Sequence, residues 1–362
     1  MKRRRIGLAL IICLMVGSIT AYSLNQKTVY TKYSRSFFTF DTVVQVIGYA
    51  KNQSTFDKAV DEAEALFAKY HALYDNYHAY DSLVNIYTLN HNAADGPVAV
   101  PRELFDLIAY CKQKQPDLNN TVNIALGAVL KLWHDAREAF EQDPAQAKLP
   151  DIQALRDAAA HTNMDDVILD AEQSTVYYND PLLQLDVGAV AKGYATELVA
   201  QHLLQGSMPS FIINAGGNVR TGHPPLDGRK NWGVAIQDPD NNAFSTNDTN
   251  IIETLFLHDL SVVTSGDYQR YFMHNGIRYH HIISPKTLMP SANMRSVTII
   301  TKDSGYADLL STAVFLMSYE EGRAFVDNLE GVECVWVMND RSLRMTKGAE
   351  QMARSFGASG NK

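Results

Sequence analysis

The chain has 362 residues, 46% of them hydrophobic and 20% charged, with a formal charge of −8. That balance belongs to a globular protein of one large or two ordinary domains, and excludes a disordered or fibrous chain. The acidity, with no basic stripe to offset it, argues against nucleic acid as a partner.

Basic residues 2–5 are followed by an apolar run over 6–16 and by smaller, more polar residues 17–21. This reads as a signal peptide or N-terminal membrane anchor over 1–21, which puts the remainder outside the cytoplasm, tethered or secreted. Cys13 lies inside the apolar run after bulky Ile12, so it reads as an apolar residue rather than a lipidation site. Cys111 and Cys334 fall in apolar helical and strand patterns and read as buried thiols, not a disulfide framework. Residues 22–36 read as a linker, 37–350 as the folded domain and 351–362 as a disordered tail.

Within the domain, Val43-Val44-Gln45-Val46-Ile47 marks a strand. Phe56, Ala59, Val60, Ala63, Leu66 and Phe67 then recur at helical spacing behind a Ser54 cap. Residues 74–99 read as loop, and Pro101 opens a helix over 102–114. Further helices are expected over 123–133, 151–161 and 188–205, with a hairpin at 167–170 and 175–178. The second half is richer in strands, at 211–214, 232–237, 251–257, 262–264, 278–283 and 297–301. Two helices near 305–317 and 319–329 and strands at 332–338 and 343–346 complete the order, and 239–250 is a polar excursion. The mixture predicts an α+β fold, a mixed and largely antiparallel sheet packed with helices.

Four segments carry chemistry. In Leu185-Asp186-Val187-Gly188-Ala189-Val190-Ala191-Lys192-Gly193, an apolar run ends in an aspartate, and a small-residue turn leads to a lysine at a helix start. Helix N-termini offer free amides and a positive dipole end to phosphate, and small residues admit a ligand close to the backbone. In Asn214-Ala215-Gly216-Gly217-Asn218, a double glycine follows a strand, as a close-approach site or an ordinary tight turn.

Thr264-Ser265-Gly266 is followed by His280-His281-Ile282-Ile283-Ser284-Pro285. Adjacent strand residues face opposite ways, so the two histidines do not share a metal; either is structural or an acid–base group. In Ala307-Asp308-Leu309-Leu310-Ser311-Thr312-Ala313, Asp308 and Thr312 share a helix face with Ser311 beside them. One carboxylate with hydroxyls suits Mg²⁺, which completes its shell with water and phosphate oxygens; the same residues also serve as a cap and a back-bonded hydroxyl. Phosphate-binding P-loop, dinucleotide glycine, serine-hydrolase and zinc spacings are missing from the sequence.

In this order and spacing the four segments resemble the ApbE family, the FAD:protein FMN transferases, from about Phe37 to Thr346. The resemblance implies an α+β, T-fold-related architecture. It implies Mg²⁺-dependent transfer of the FMN half of FAD to a threonine or serine hydroxyl of a flavoprotein, with release of AMP. Two other activities fit the same residues: hydrolysis of FAD to FMN and AMP, and FAD binding without turnover. By position, Asp186, Lys192, Gly216, Gly217 and His281 are expected at FAD, with His281 near the reacting phosphate. The carbonyl of Ala189, with Asp308, Ser311 and Thr312, is expected at Mg²⁺, and Asp308 is counted with His281 as catalytic. Upstream, Phe40, Tyr77 and the stretch Thr121-Val122-Asn123 match family flavin contacts. The chain departs from the family pattern at Phe40-Asp41 for Met-Gly, Asn123 and Ser284 for aspartate, and Leu288 for glycine.

Overall fold

The structure is a computed structural model that describes residues 29–145, 147–240 and 250–361; the leader over 1–21 and most of the polar excursion lie outside the described residues. A hairpin of β1 (Thr31–Thr39) and β2 (Thr42–Ala50) leads into helix α1 (Gln53–Tyr74). Helix α2 (Ile86–Asn92), the short strand β3 (Val98–Ala99) and helices α3 (Arg102–Lys114), α4 (Gly127–Gln142) and α5 (Ile152–Ala159) follow. The hairpin β4 (Val167–Asp170) and β5 (Thr175–Tyr178) precedes α6 (Ala191–Gln205). Strands β6 (Phe211–Ala215), β7 (Asn218–Thr221), β8 (Trp232–Gln237), β9 (Ile251–Leu257), β10 (Ser261–Gly266), β11 (Tyr271–His274), β12 (Ile277–His280) and β13 (Ser296–Thr301) come next. Helices α7 (Ser304–Leu316) and α8 (Tyr319–Asp327), strands β14 (Glu333–Val337) and β15 (Leu343–Met345) and helix α9 (Lys347–Met352) complete the order.

Eight strands form one sheet in the order β1-β2-β6-β7-β10-β13-β14-β15, every neighbouring pair antiparallel. Strand alternation splits the core in two. Val263, Ile299 and Cys334 join the cluster under α1, α6 and α7, while Val262, Ile300 and Val335 join a second cluster under β8, β9 and α9. A third cluster, built on Val129, Trp133, Phe140, Phe272, Ile283 and Leu288, holds α4 against the β11–β12 hairpin. The α+β expectation therefore holds, with both sheet faces covered.

Beyond the unassigned strands β7 and β11, three segments differ most from their sequence reading. The expected linker is strand from Thr31 onward. Its polar Ser34 and Ser36 face out while Tyr33 and Phe37 pack inward, Tyr33 against Phe56 at 5.3 Å, and the polar half of this alternation conceals it. The expected loop over 74–99 contains α2, capped by Asn85 through the Thr88 amide at 3.0 Å. The expected tail is packed: Ala353 is fully buried, and the Gly360 carbonyl accepts from the Lys230 amide at 2.7 Å.

Candidate active site

The first turn of α6 organises a cleft. Its N-cap residue, Val190, has no side chain that can cap, so the orphan amides of the turn need outside acceptors. The Gly193 amide donates to Asp308 Oδ2 of α7 at 2.8 Å, and the Tyr194 amide returns to the Val190 carbonyl. Among the described residues no amide bonds the Ala189 carbonyl, which is left available at the turn. A side chain at Gly193 would collide with the Ser304 carbonyl and the Asp308 side chain, so glycine is required for this helix contact. Asp186 ends the preceding segment and is locked by the Gly188 amide at 2.7 Å and Asn76 Nδ2 at 3.1 Å. Crowding by protein raises its carboxyl pKa above the ordinary value.

Lys192 Nζ donates to the Gly216 carbonyl at 2.9 Å, tying α6 to the turn between β6 and β7. Gly216 has φ of 57°, and a Cβ there would strike Thr42 of the β1–β2 hairpin. The double glycine is thus a close-approach site for this chain's own backbone as well as for a ligand. Burial lowers the Lys192 pKa, with the Asp308 charge opposing the shift.

Asp308 is 7% exposed, and burial raises its carboxyl to about 6 against the lowering effects of Lys192 and the Gly193 amide. Beside it, Ser265 Oγ of β10 lies 2.8 Å from Ser311 Oγ and 3.3 Å from Thr312 Oγ1. Asn218 is buried next to the carboxylate, and its amide nitrogen has no closed hydrogen bond. No three His, Cys, Asp or Glu side chains converge among the described residues. The donors here are one carboxylate, several hydroxyls and a free carbonyl. Such hard oxygens fit Mg²⁺, which keeps waters and takes phosphate oxygens.

The histidines separate as alternation requires. His280 is buried, with Nε2 2.6 Å from the Ser291 carbonyl and its ring edge-on to Phe315. His281 is open to the cleft, and both its amide (3.1 Å) and Nδ1 (3.3 Å) reach the Arg270 carbonyl. Donation from Nδ1–H leaves Nε2 as a free acceptor. The cleft walls limit hydration of a charged ring, and Arg270, His280 and Lys192 add repulsion, so the imidazole pKa is held well below its ordinary value.

Tyr77 stacks on His134 of α4 at 4.2 Å and lies within electrostatic reach of Asp186. Phe40 sits in the β1–β2 turn with its ring edge-on to His71 and Phe67. Thr121 and Val122 are buried, the Thr121 hydroxyl held by the Leu118 carbonyl at 2.7 Å. Asn123 anchors its own loop, donating to the Thr162 carbonyl at 2.7 Å and accepting the Ala125 amide at 2.9 Å. The next carbonyl, Ile124, accepts the Asp186 amide at 2.7 Å, so this stretch supports the cleft floor through its backbone. One group thus joins Lys192, Gly216 and Asp308 through hydrogen bonds, with Asp186 and Ala189 on the same turn, Gly217, Ser311 and Thr312 beside them, and His281 within electrostatic reach of Lys192. Arg270, Asn76, Ser265 and Asn218 belong to it too and escaped sequence reading. Ser265 and Asn218 lie inside the noted motifs, but their roles depend on partners 46 and 90 residues away.

The ApbE family sequence profile matches residues 40–336. A FAD:protein FMN transferase of Klebsiella pneumoniae (strain 342) is 34% identical over 256 residues, 70% of this chain and 75% of its own. One of Treponema pallidum (strain Nichols) is 29% identical over 98% of this chain and 96% of its own. In fold, the ApbE protein of Thermotoga maritima MSB8 matches with a TM-score of 0.76, at 24% identity over 89% of this chain and 99% of its own. The apo flavinyl transferase ApbE of Pseudomonas stutzeri matches at 0.74, with 23% identity over 91% and 98%. The chain belongs to the ApbE family.

Proposed function

We propose that this protein transfers the FMN moiety of FAD to a threonine or serine hydroxyl of an acceptor flavoprotein and releases AMP. The observation that carries the reading is the contact of the helix start that bears Lys192 with buried Asp308, while His281 lies close enough to feel the Lys192 charge. Phosphoryl transfer asks a protein mainly for positioning and charge stabilisation, and for a base near the attacking hydroxyl.

In this reading Lys192 and the α6 amides hold the pyrophosphate, and Asp186 and Tyr77 orient the nucleotide. His281 Nε2 takes the acceptor hydroxyl's proton as the hydroxyl oxygen bonds to the FMN phosphorus. The bond between that phosphorus and the bridging oxygen breaks, AMP leaves with the bridging oxygen, and His281 returns its proton to water. Asp308, Ser311, Thr312 and the Ala189 carbonyl would hold Mg²⁺, which when bound neutralises charge on the two phosphates. Residues 1–21 would place the enzyme outside the cytoplasm, tethered at the membrane, beside membrane-associated acceptors. No helix among the described residues is long and apolar enough to cross a membrane, so tethering falls to that segment.

The test is mass spectrometry of a candidate acceptor after incubation with the protein, FAD and Mg²⁺. An FMN-sized adduct on threonine or serine, with AMP released in equal amount, is the expected result. Free FMN with an unlabelled acceptor would replace transfer by hydrolysis, and unchanged FAD would remove both.

A further inference from the structure

We propose that Arg270 is a phosphate-binding residue of the cleft and that Asp41 is the counter-ion it releases when FAD enters; the inference rests on the flavin-transfer reading above. The last strand pair of the β11–β12 hairpin is Tyr271 with His280, and the His281 amide donates to the Arg270 carbonyl at 3.1 Å. Arg270 and His281 therefore form the next rung, and residues directly opposite each other project from the same face. Period-two alternation puts Phe272 and Tyr279 on that face as well. Their rings stack on Phe140 and Trp133 of α4, at 4.4 Å and 5.9 Å, so the face that carries Arg270 and His281 is turned toward α4 and the cleft.

The position of the charge agrees. The Arg270 guanidinium acts electrostatically on Asp186, Lys192, His281 and Tyr77, which line the cleft on different elements. Lys192 already donates to the Gly216 carbonyl. Arg270 has a single ion pair, Nη2 to Asp41 Oδ2 at 3.8 Å, with the two side chains 48% and 75% exposed. A pair that long and that exposed contributes little, and among the described residues the guanidinium makes no hydrogen bond. Its planar fork matches two phosphate oxygens at once, a far stronger interaction than the one it has.

Asp41 is the natural competitor. It occupies the tip of the β1–β2 hairpin with φ of 53°, one residue from Thr42, which packs on the Gly216 turn. Its carboxylate is thereby held at the cleft entrance, where it neutralises Arg270 until a phosphate displaces it. The proximity of Arg270 to His281 assigns the guanidinium to the phosphate under attack, that of FMN.

The experiment is FAD titration by flavin fluorescence, with Mg²⁺, for the wild-type protein, Arg270→Ala, Arg270→Lys and Asp41→Asn, with thermal unfolding as the check on folding. Losing a charge-assisted pair of hydrogen bonds predicts FAD affinity about 10- to 100-fold weaker in Arg270→Ala, with part recovered in Arg270→Lys. The dependence of affinity on salt should flatten in Arg270→Ala. Asp41→Asn should tighten FAD by about 2- to 5-fold at low salt, an advantage that fades as screening grows. Wild-type affinity in a folded Arg270→Ala overturns the phosphate role; wild-type affinity of Asp41→Asn at low salt overturns the counter-ion role. If Arg270→Ala does not fold, the uncharged Arg270→Gln decides, and wild-type affinity with an unchanged salt slope in that variant overturns the proposal. Arg270-dependent FAD binding by a protein that labels no acceptor would instead refute the transfer reading and leave the phosphate site standing.

Discussion

Asp308 caps a helix to which it does not belong: its Oδ2 accepts the Gly193 amide of α6 at 2.8 Å. The favour is returned by Glu197 of α6, whose Oε2 accepts the Ser304 amide of α7 at 2.9 Å while pairing with buried Arg220 at 3.1 Å. Two helix starts thus satisfy each other, which fixes the Lys192 turn against the Asp308 face. Gly193 is what allows the approach, so Gly193→Ala is a sharp test. In an ordinary helix this change stabilises by about 1 kcal/mol. Here the added methyl meets the Ser304 carbonyl and Asp308, and overpacking predicts a loss of about 1–3 kcal/mol instead. Chemical denaturation reads the sign directly, and a stabilised variant would refute the close contact.

The same aspartate gives a pH prediction. Its native carboxyl lies at about 6, above the unfolded value of 3.8, because burial disfavours the charge. As pH falls below about 6 the native state takes up a proton that the unfolded chain still lacks, so this group adds stability on the way down. Asp308→Asn should therefore stabilise the metal-free protein at pH 7, by about 1–3 kcal/mol, and flatten its stability between pH 4 and 6. Flavin transfer by the same variant should drop at least about 100-fold, since the charge proposed to serve the metal and phosphates is gone.

At limiting Mg²⁺, turnover should fall as pH drops through about 6, where the metal-free Asp308 carboxyl takes up its proton. His281, held well below its ordinary value, stays neutral over that range and does not set this limb. In the proposed reading Mg²⁺ binds the ionised carboxylate, so raising its concentration should move the limb to lower pH. A limb insensitive to Mg²⁺ would separate Asp308 from the metal.

Two positions that the sequence reading marked as departures from the family pattern sit at positive φ and should respond in opposite directions. Phe40 and Asp41, at 49° and 53°, form the two-residue turn of the β1–β2 hairpin, a geometry that favours glycine at the second place. Asp41 is exposed, so Asp41→Gly should stabilise by about 1 kcal/mol. Leu288 has φ of 61° but is 8% exposed and packs in the third cluster, its carbonyl accepting Trp133 Nε1 at 2.9 Å. Leu288→Gly gains similar relief yet loses a buried side chain, for a net cost of about 1–2 kcal/mol. Paired melting curves check both signs.

The sheet and its helices were legible wherever period and punctuation agreed. Pro101 opens α3 where expected, and the strands at 232–237 and 251–257 hold residue for residue. The candidate site was legible as an arrangement where one segment carried its own signal, as in the Asp186–Lys192 turn and the Asp308–Thr312 helix, which the structure joins through the Gly193 amide. Misreadings arose where a local pattern was masked or a partner was distant. β7 went unassigned because the double glycine before it, read as a close-approach site or a tight turn, dominates the segment. Arg270 carries no local mark; its place opposite His281 comes from an Asn275-Gly276 turn that folds β11 onto β12.

That hairpin supplies the last prediction. Phe272 lies between Phe140, at 4.4 Å, and Tyr279, at 5.4 Å, and Tyr279 continues to Trp133. The ladder braces β11–β12 on α4 two rungs from Arg270 and His281, while Asp308 and Lys192 rest on a different core. Phe272→Ala should cost about 3 kcal/mol of stability. It should also lower kcat by loosening His281, since a small misplacement of a reacting group costs about 100-fold. Metal affinity at Asp308 should stay near wild type, because α6 and α7 do not depend on the ladder. Phe272→Leu, which restores most of the volume, should recover much of both losses. Isothermal titration with Mg²⁺ beside single-turnover flavin transfer separates the two halves of the cleft, and equal damage to both would show that they form one unit.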